Sequence, residues 1–392
     1  MNIAVFIKLT TFHKGSGGLE TQSRSLCEEL AKRGHRITVF STKKELDIDE
    51  KSENLVRYVF ITSEYKKYLF ARLNKNSWFK KSLEKFQEIH KADSFDLVLS
   101  QSASAESIIE NKKKLGVKVV SVAHGSAASE YITFLKNIKN LKDFYWFARN
   151  TQYFLRQFFG RQRRYVLHSD KVIAVSNYVK TALINECFAD DRKIEVVSNG
   201  VDPKDFDLLE GSTDDGVKLL FLGRVEKSKG ILTILKIISD IKNDYVLHVV
   251  GEGPDLEDAK RISKKMRVSD KVVFHGKVPY KEFVKNLKPD IFVFPTQRIE
   301  GFPMVLVESM LLGLPVVAFN LGGVTDAIEN EKTGYLIKAG NNKEFKLKLE
   351  SLIGNLELRN KLGLAGREKA LSEFTIGKMI DTYEKIFMEV LK

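Results

Sequence analysis

The stretch from Lys288 to Gly323, KPDIFVFPTQRIEGFPMVLVESMLLGLPVVAFNLGG, decides the fold prediction. Its apolar run 291–295 predicts a strand, the polar turn 296–303 predicts a loop, and a helix is expected from Met304 to Gly313. A helix that begins at the carboxyl end of a parallel strand points free backbone N–H groups and the positive end of its dipole towards a ligand. The stretch therefore predicts one unit of a parallel α/β sheet with an anion site at its turn.

Two carboxylates flank this turn, Glu300 in the loop and Glu308 on the helix, with seven residues between them. The string EGFPMVLVESMLLGLPVV closely resembles the signature of family 4 of the retaining, nucleotide-sugar-dependent glycosyltransferases. The resemblance implies the α/β fold called GT-B, in which two Rossmann-like domains face each other across a catalytic cleft and a C-terminal helix crosses back to the N-terminal domain. It also implies that Glu300 contacts the donor sugar and Glu308 the ribose. The donor-binding residues predicted between them are Gly301, Phe302, Pro303, Met304 and Val305.

Three more segments match the same family. The string GRVEKSKG resembles its donor-phosphate motif, and the matching cations are Arg224 and Lys229. Cations in a loop at the end of a strand can neutralise a departing diphosphate. The Gly17-Gly18 pair matches the N-terminal glycine turn, where no Cβ keeps the backbone from a ligand. The resemblance also places His124, at the end of a predicted strand 117–123, beside the donor sugar.

The chain is long enough, at 392 residues, for two hydrophobic cores. A strand at 2–9, a helix at 19–33 and a strand at 36–41 predict an opening βαβ unit, and the β/α alternation begins again at 218. We expect an N-terminal acceptor-binding domain of residues 1–198, joined by the helix 376–392. Residues 199–375 are expected to form the donor-binding domain.

The positive charge of the chain lies almost entirely in its first half. Residues 1–197 contain 34 Lys and Arg against 22 Asp and Glu, whereas residues 198–392 contain 30 against 29. This asymmetry indicates an acidic partner for the N-terminal half. With two distant cysteines and no apolar run long enough to span a bilayer, we expect a cytoplasmic protein, either free or peripheral on the inner face of the cell membrane.

Aromatic and basic residues alternate over residues 131–170, and a similar pattern occupies 65–91. The aromatic side chains of 131–170 could pack in the N-terminal core, or could lie in the headgroup region of an anionic membrane with the cations around them. Both interpretations stand, and they can coexist. Stacking on single-stranded nucleic acid would be a third use, but no RNA-binding motif accompanies it, and no nucleic-acid partner is expected.

The predicted function is that of a retaining glycosyltransferase that moves a sugar from a nucleotide diphosphate to a glycan or lipid-linked acceptor in cell-envelope biosynthesis. The family requires no metal or other cofactor, and both D-x-D triplets, at 47–49 and 205–207, fall in predicted linkers. Glu300, His124, Arg224 and Lys229 are the predicted catalytic residues. The alternatives are a nucleotide-sugar 2-epimerase, a phosphorylase of the same architecture, or a nucleic-acid-binding protein on an inactive transferase fold.

Overall fold

The computed structural model describes residues 1–64, 74–136, 144–209 and 216–392. These residues form two compact units. The first comprises residues 1–128, 144–199 and 376–392, and the second comprises residues 129–136 and 200–375. Within the described residues, the chain thus passes between the units at Ala128–Ser129, Asn199–Gly200 and Thr375–Ile376. Residues 129–136 group with the second unit, although the sequence prediction assigned them to the first domain.

The strands of the two sheets are β1 Asn2–Phe6, β2 Arg36–Thr42, β3 Glu50–Glu53, β4 Val56–Ile61, β5 Leu97–Gln101, β6 Lys118–Ala123, β7 Lys171–Ala174, β8 Ile194–Val196, β9 Val217–Leu222, β10 Tyr245–Val250, β11 Val272–Gly276, β12 Ile291–Phe294, β13 Val316–Asn320 and β14 Gly334–Lys338.

The helices are α1 Gly18–Lys32, α2 Trp78–Ala92, α3 Glu106–Leu115, α4 Ala127–Lys136, α5 Phe144–Arg156, α6 Arg163–His168, α7 Asn177–Cys187, α8 Ile231–Ile238, α9 Leu256–Lys265, α10 Tyr280–Leu287, α11 Met304–Leu311, α12 Val324–Ala327, α13 Asn342–Ile353, α14 Leu356–Glu373 and α15 Ile376–Leu391. A π-helical segment, Gln157–Gln162, joins α5 to α6.

The first unit is built on an eight-stranded sheet in the order β3-β4-β2-β1-β5-β6-β7-β8. All of its neighbouring strands are parallel except the hairpin β3–β4. The central strands are apolar and fully buried, as expected for strands covered by helices on both faces. Helix α15 belongs to this unit, where Arg33, the residue that follows α1, donates to Asp381 at 2.6 Å and to Glu384 at 2.8 Å. The predicted return of the C-terminal helix to the N-terminal unit is confirmed.

The second unit has a six-stranded, all-parallel sheet in the order β11-β10-β9-β12-β13-β14. Its core lies between the sheet and helices α8 and α13, where Leu219, Ile234, Val293 and Phe345 are fully buried. The predicted strand–loop–helix unit is present as β12, the loop 295–303 and α11. The carboxyl ends of β9, β12 and β13 consequently lie at one edge of this sheet.

Three parts of the sequence prediction concern residues outside this description. They are residues 65–73 of the basic stretch 65–91, residues 137–143 of the aromatic stretch 131–170, and the linker residues 210–215. Among the residues that are described, no helix is long and apolar enough to cross a membrane. Both cysteines, Cys27 and Cys187, are buried free thiols.

Candidate functional site

Two loops of the second unit are fastened together at the edge of its sheet. One follows β9 and contains the 3-10 turn Lys227–Lys229, and the other follows β12. The backbone N–H of Gln297 donates to the carbonyl of Ser228 at 2.8 Å. Gly230 has a φ of +84°, and a Cβ at this position would lie 1.8 Å from the carbonyl oxygen of Pro295. Only glycine combines that backbone conformation with so close an approach.

This contact brings together two of the predicted catalytic residues. The ammonium of Lys229 lies 2.7 Å from Oε1 of Glu300, and both side chains are mostly buried. The hydroxyl of Thr296 donates to the same oxygen at 3.3 Å. An ammonium has three donors, so two N–H groups of Lys229 can still reach other acceptors.

The backbone of Glu300 is held from the opposite side by the glycine pair after β13. The N–H of Gly323 donates to the carbonyl of Glu300 at 2.8 Å, and Gly322 and Glu300 form an isolated parallel bridge. Gly322 has a φ of +62°, and a Cβ there would lie 2.3 Å from the carbonyl oxygen of Glu300. Three strand-end loops therefore fix the position of the Glu300 carboxylate.

The second predicted carboxylate, Glu308, lies in a mainly apolar pocket between α10 and α11, lined by Leu220, Phe292 and Val305. It is 9% exposed. Burial raises the pKa of Glu308 to about 7, while a hydrogen bond from the Tyr280 hydroxyl and the charge of Lys281 act in the opposite direction. Tyr280 was not predicted from the sequence, because a single tyrosine at the start of a helix gives no signal of its partner.

The residues of the turn between the carboxylates are buried or half-buried. Phe302 is buried, and its ring packs against that of Phe374 with centroids 5.3 Å apart. Pro303 is the N-cap of α11, and Met304 is the first helical residue. Gly301 is half-buried. Of the predicted donor-binding residues, Phe302 therefore has a packing role, whereas the first backbone N–H groups of α11 begin at Met304.

Arg224 does not join this group. Its guanidinium side chain is 73% exposed, and Nε lies 3.7 Å from Oε2 of Glu226. The sequence predicted that Arg224 and Lys229 act on one anion, but in this structure only Lys229 contacts Glu300.

In the first unit, the predicted glycines lie at the start of α1. Gly17 is the N-cap, and its backbone N–H donates to Oε2 of Glu20 at 2.8 Å. Gly18 has no atom within 4 Å of the position that a Cβ would take. This turn is exposed, so its backbone is open to a ligand.

His124 follows β6 and contacts a residue that the sequence did not single out. Its Nε2 lies 2.6 Å from Oε1 of Gln101, the last residue of the neighbouring strand β5. The surrounding protein desolvates the imidazole and lowers the pKa of His124 to about 4. The ring is therefore neutral near pH 7. Because Oε1 of Gln101 is an acceptor, the contact favours the tautomer that carries the proton on Nε2 and leaves Nδ1 as an acceptor. The amide nitrogen of Gln101 is buried and has no hydrogen-bond partner among the described residues.

Two family models match the chain, one for each unit. The model described as Glycosyltransferase Family 4 matches residues 16–205, and the model described as Glycosyl transferases group 1 matches residues 209–369. The chain belongs to the group 1/family 4 glycosyltransferases. The family predicted from residues 288–323 is thus confirmed, and the protein is a glycosyltransferase.

Curated proteins with named activities are among the relatives of this chain. The chain is 23% identical to the N-acetyl-alpha-D-glucosaminyl L-malate synthase of Bacillus anthracis, over 97% of this chain and 96% of that protein. It is 24% identical to the lipopolysaccharide 1,6-galactosyltransferase of Escherichia coli K12, over 59% of this chain and 65% of that protein. Each activity is that of the named relative and is not assigned to this chain.

Among solved structures, the chain resembles Anabaena HepE in complex with UDP, with a TM-score of 0.76 and 15% identity over 99% of this chain and 100% of that one. The same protein has also been solved with UDP-glucose. At this level of identity the likeness shows the fold, and it confirms the GT-B prediction.

Proposed function

We propose that this glycosyltransferase moves a sugar from a nucleotide diphosphate to an acceptor hydroxyl with retention of anomeric configuration. The observation that carries the proposal is the Lys229–Glu300 ion pair in the loop that precedes α11, together with Glu308 on that helix. A cation and free N–H groups suit a diphosphate, and two carboxylates suit hydroxyl groups. The UDP and UDP-glucose complexes of HepE, a protein of the same fold, support a nucleotide-sugar donor.

Each residue has a separate task in this proposal. Lys229 keeps one N–H on Glu300 and directs the others to phosphate oxygens of the donor. Glu300 accepts hydrogen bonds from sugar hydroxyls, and Glu308 accepts them from the ribose. His124 supplies a neutral imidazole for a sugar hydroxyl. The exposed Arg224 would have to turn towards the diphosphate when the donor binds.

The proposed step needs no carboxylate nucleophile. The bond between the anomeric carbon and the phosphate oxygen breaks, and the acceptor oxygen forms the new bond on the same face. The departing phosphate oxygen takes the acceptor proton. Lys229 and the helix N-terminus stabilise the charge on the leaving diphosphate. Removing one such donor typically lowers the rate on the order of 10²-fold. Metal independence is part of the proposal.

The test is a donor screen followed by product stereochemistry. UDP-, GDP- and ADP-sugars are incubated with the protein and candidate acceptors, and nucleoside diphosphate release and the anomeric proton coupling of the product are measured by NMR. We expect release that depends on Glu300, survives EDTA and gives a product with the anomeric configuration of the donor. An inverted product would overturn the retaining mechanism, and interconversion of nucleotide sugars without acceptor would favour an epimerase.

We further propose that the acceptor is presented at an anionic membrane surface. Large apolar side chains of the first unit are exposed, with Phe159 at 64% and Phe188 at 81%. The guanidinium of Arg163 lies over the Phe188 ring at 5.8 Å. Exposed aromatic side chains beside arginines are typical of a surface that lies in lipid headgroups.

This second proposal is tested by sedimentation with vesicles of phosphatidylcholine, alone or mixed with phosphatidylglycerol, over a salt series. We expect the protein to prefer the anionic vesicles and Phe159→Ser with Phe188→Ser to abolish that preference. Leu347→Ser removes an equally exposed apolar side chain from the second unit and serves as the matched control. Equal binding to both vesicle types, or equal loss in the control, would remove the proposal.

A further inference from the structure

A buried histidine fastens the loop between β1 and α1 to the sheet of the first unit. His13 is 5% exposed, and its Nδ1 accepts the backbone N–H of Thr10 at 3.0 Å, with the Thr10 hydroxyl 3.1 Å from the same nitrogen. Since Nδ1 accepts, Nε2 carries the ring proton and donates to the carbonyl of Thr42, the last residue of β2, at 2.9 Å. The imidazole therefore joins the loop to the end of a neighbouring strand.

Aromatic packing holds the same part of the loop against β4. The ring of His13 lies edge-on to that of Phe60, with centroids 6.2 Å apart. The neighbouring Phe12 packs edge-on against Phe60 at 6.0 Å and against Tyr58 at 5.0 Å. The ammonium of Lys51, on strand β3, lies 4.2 Å from the centre of the Phe12 ring. The loop is consequently fixed in position as far as residue 13.

The next five residues, 14–18, are exposed, and three of them are glycines. Gly15 has a φ of +77°, which favours glycine. Gly17 has an extended backbone with a φ of −134°, and Gly18 is the first residue of α1. A Cβ at Gly18 would meet no atom within 4 Å. The fold therefore does not require glycine at position 18, whereas a ligand that touches the backbone would require it.

This glycine turn, residues 15–18, lies at the edge of the first sheet where ligands of α/β proteins bind. It follows the carboxyl end of β1, a central parallel strand, and it opens α1, whose first backbone N–H groups have no acceptor within the helix. The N–H of Ser16 donates to the carbonyl of His13 at 3.4 Å. The turn is thus attached to the anchored residue itself.

We propose that His13 is a positioning residue of the transfer reaction, which holds the glycine turn in the place where a substrate lies on it. The inference rests on the proposed function, because it names a residue that serves that reaction without touching the substrate. The bond to Thr10 shapes the loop internally, whereas the bond to Thr42 fixes the loop relative to the sheet. Activity should depend on the Thr42 bond, because a displacement of about 1 Å can lower a rate by about 10²-fold.

Two substitutions separate these bonds. The side chain of asparagine ends near the position of Nδ1 and that of glutamine near Nε2, so His13→Asn keeps an acceptor for Thr10 and His13→Gln keeps a donor for Thr42. We expect kcat/KM for transfer to fall by about tenfold or more in His13→Asn and to stay within about threefold in His13→Gln. In His13→Asn the KM of one substrate, donor or acceptor, should rise while that of the other stays unchanged. The affected KM identifies the substrate that lies on the turn.

His90 offers a matched control, because its ring makes the same kind of bonds at the opposite edge of the sheet. Its Nδ1 accepts the N–H of Phe95 at 3.0 Å, and its Nε2 donates to the carbonyl of Leu115 at 3.2 Å. Both partners precede strands, β5 and β6, and so lie at the amino ends. His90→Asn should lower the melting temperature about as much as His13→Asn but leave kcat/KM within about twofold. Rates are measured below the melting temperature of every variant.

Gly18→Ala tests the turn without changing His13. We expect an unchanged or higher melting temperature, because alanine favours a helix, together with a kcat/KM about tenfold lower or less. Equal activity of His13→Asn and His13→Gln, an equal rise of both KM values, an equal loss in His90→Asn, or full activity of Gly18→Ala would each overturn the inference. If the unchanged protein releases no nucleoside diphosphate from any donor, the proposed function itself is refuted.

Discussion

The ammonium of Lys229 and the carboxylate of Glu300 lie 2.7 Å apart, although they belong to loops that are 71 residues apart in sequence. The family resemblance assigns the cation to phosphate and the carboxylate to sugar. Because the two side chains are in contact, one ion pair would hold both the phosphate and the sugar of the donor. We infer that this pair sets the distance between the diphosphate and the sugar of the donor.

Removing either member of the pair should therefore lower turnover, and removing the lysine should also lower stability. Lys229→Met and Glu300→Gln are each expected to lower kcat by about 10²-fold or more. Lys229→Met should also lower the free energy of unfolding by about 1–3 kcal/mol, because it leaves a mostly buried carboxylate without its cation. Urea titrations and initial rates measure the two effects. In a double-mutant cycle, additive stability changes would contradict the pairing, since residues in contact normally show coupling.

The close approach of the two loops predicts a strong effect of a single methyl group. Gly230→Ala would place Cβ 1.8 Å from the carbonyl oxygen of Pro295, so the Lys229 loop must move. We expect a loss of about 3 kcal/mol or more in stability and a parallel loss of nucleotide binding. Gly340 is the matched control, because its φ of +85° is nearly the same but no atom lies within 4 Å. Gly340→Ala should cost only about 1 kcal/mol, through backbone strain.

Thermal and urea unfolding of both variants, with nucleotide binding by calorimetry, distinguish the two effects. Equal destabilisation by the two substitutions would mean that backbone conformation alone matters at residue 230. In that case the loop contact would not position Lys229.

The buried carboxyl of Glu308 predicts how stability depends on pH. Its pKa is about 7 in the folded protein against an ordinary value of 4.5, so between these values the folded state binds more protons than the unfolded chain. The contribution to stability is complete below about pH 4.5 and is lost as pH rises through 7. Its size is about 3 kcal/mol at most. Glu308→Gln should remove this dependence and raise stability at pH 8.

The same group should control nucleotide affinity in the opposite direction. Only the carboxylate can accept two ribose hydroxyls, so affinity should fall as pH decreases below 7. Tyr280→Phe removes a hydrogen bond to the charged form and should move this transition to higher pH. Calorimetric titrations with UDP, GDP and ADP from pH 5.5 to 8.5 measure how nucleotide affinity depends on pH. An affinity that is flat over this range would show that Glu308 does not contact the ribose.

The sequence predicted the helices and strands that depend on short-range patterns of apolar residues. The strand–loop–helix unit at 291–311 follows from an apolar run, a turn with Gly301 and Pro303, and an apolar helix. The first βαβ unit follows from similar signals, and its strand and helix bounds agree with the structure within a few residues. The local periodicity of apolar residues specifies these elements, and the helices that pack against them do not alter their secondary structure.

The sequence did not predict the hairpin β3–β4. Its two turn residues, Asn54 and Leu55, have φ values of +51° and +66°, the conformation of a two-residue hairpin loop. Glycine normally marks the second of these positions, and leucine does not. The partners of the site side chains were missed for a different reason. Tyr280 beside Glu308 and Gln101 beside His124 are contacts made by folding, and no spacing rule connects residues of separate β/α units.

Gln101 is expected to act on catalysis through His124. Because its Oε1 accepts the Nε2 proton at 2.6 Å, it fixes the tautomer that leaves Nδ1 as an acceptor. Gln101→Met should lower kcat while the pKa of His124 stays low, since burial and not this hydrogen bond causes the shift. Gln101→Glu places a carboxylate beside the ring and should raise the pKa of His124 by about 1–3 units. Titration of the imidazole Cε1 proton by NMR measures the pKa, and the pH profile of kcat should move with it. If the pKa rises and the profile does not move, His124 takes no part in the reaction and Gln101 has only a packing role.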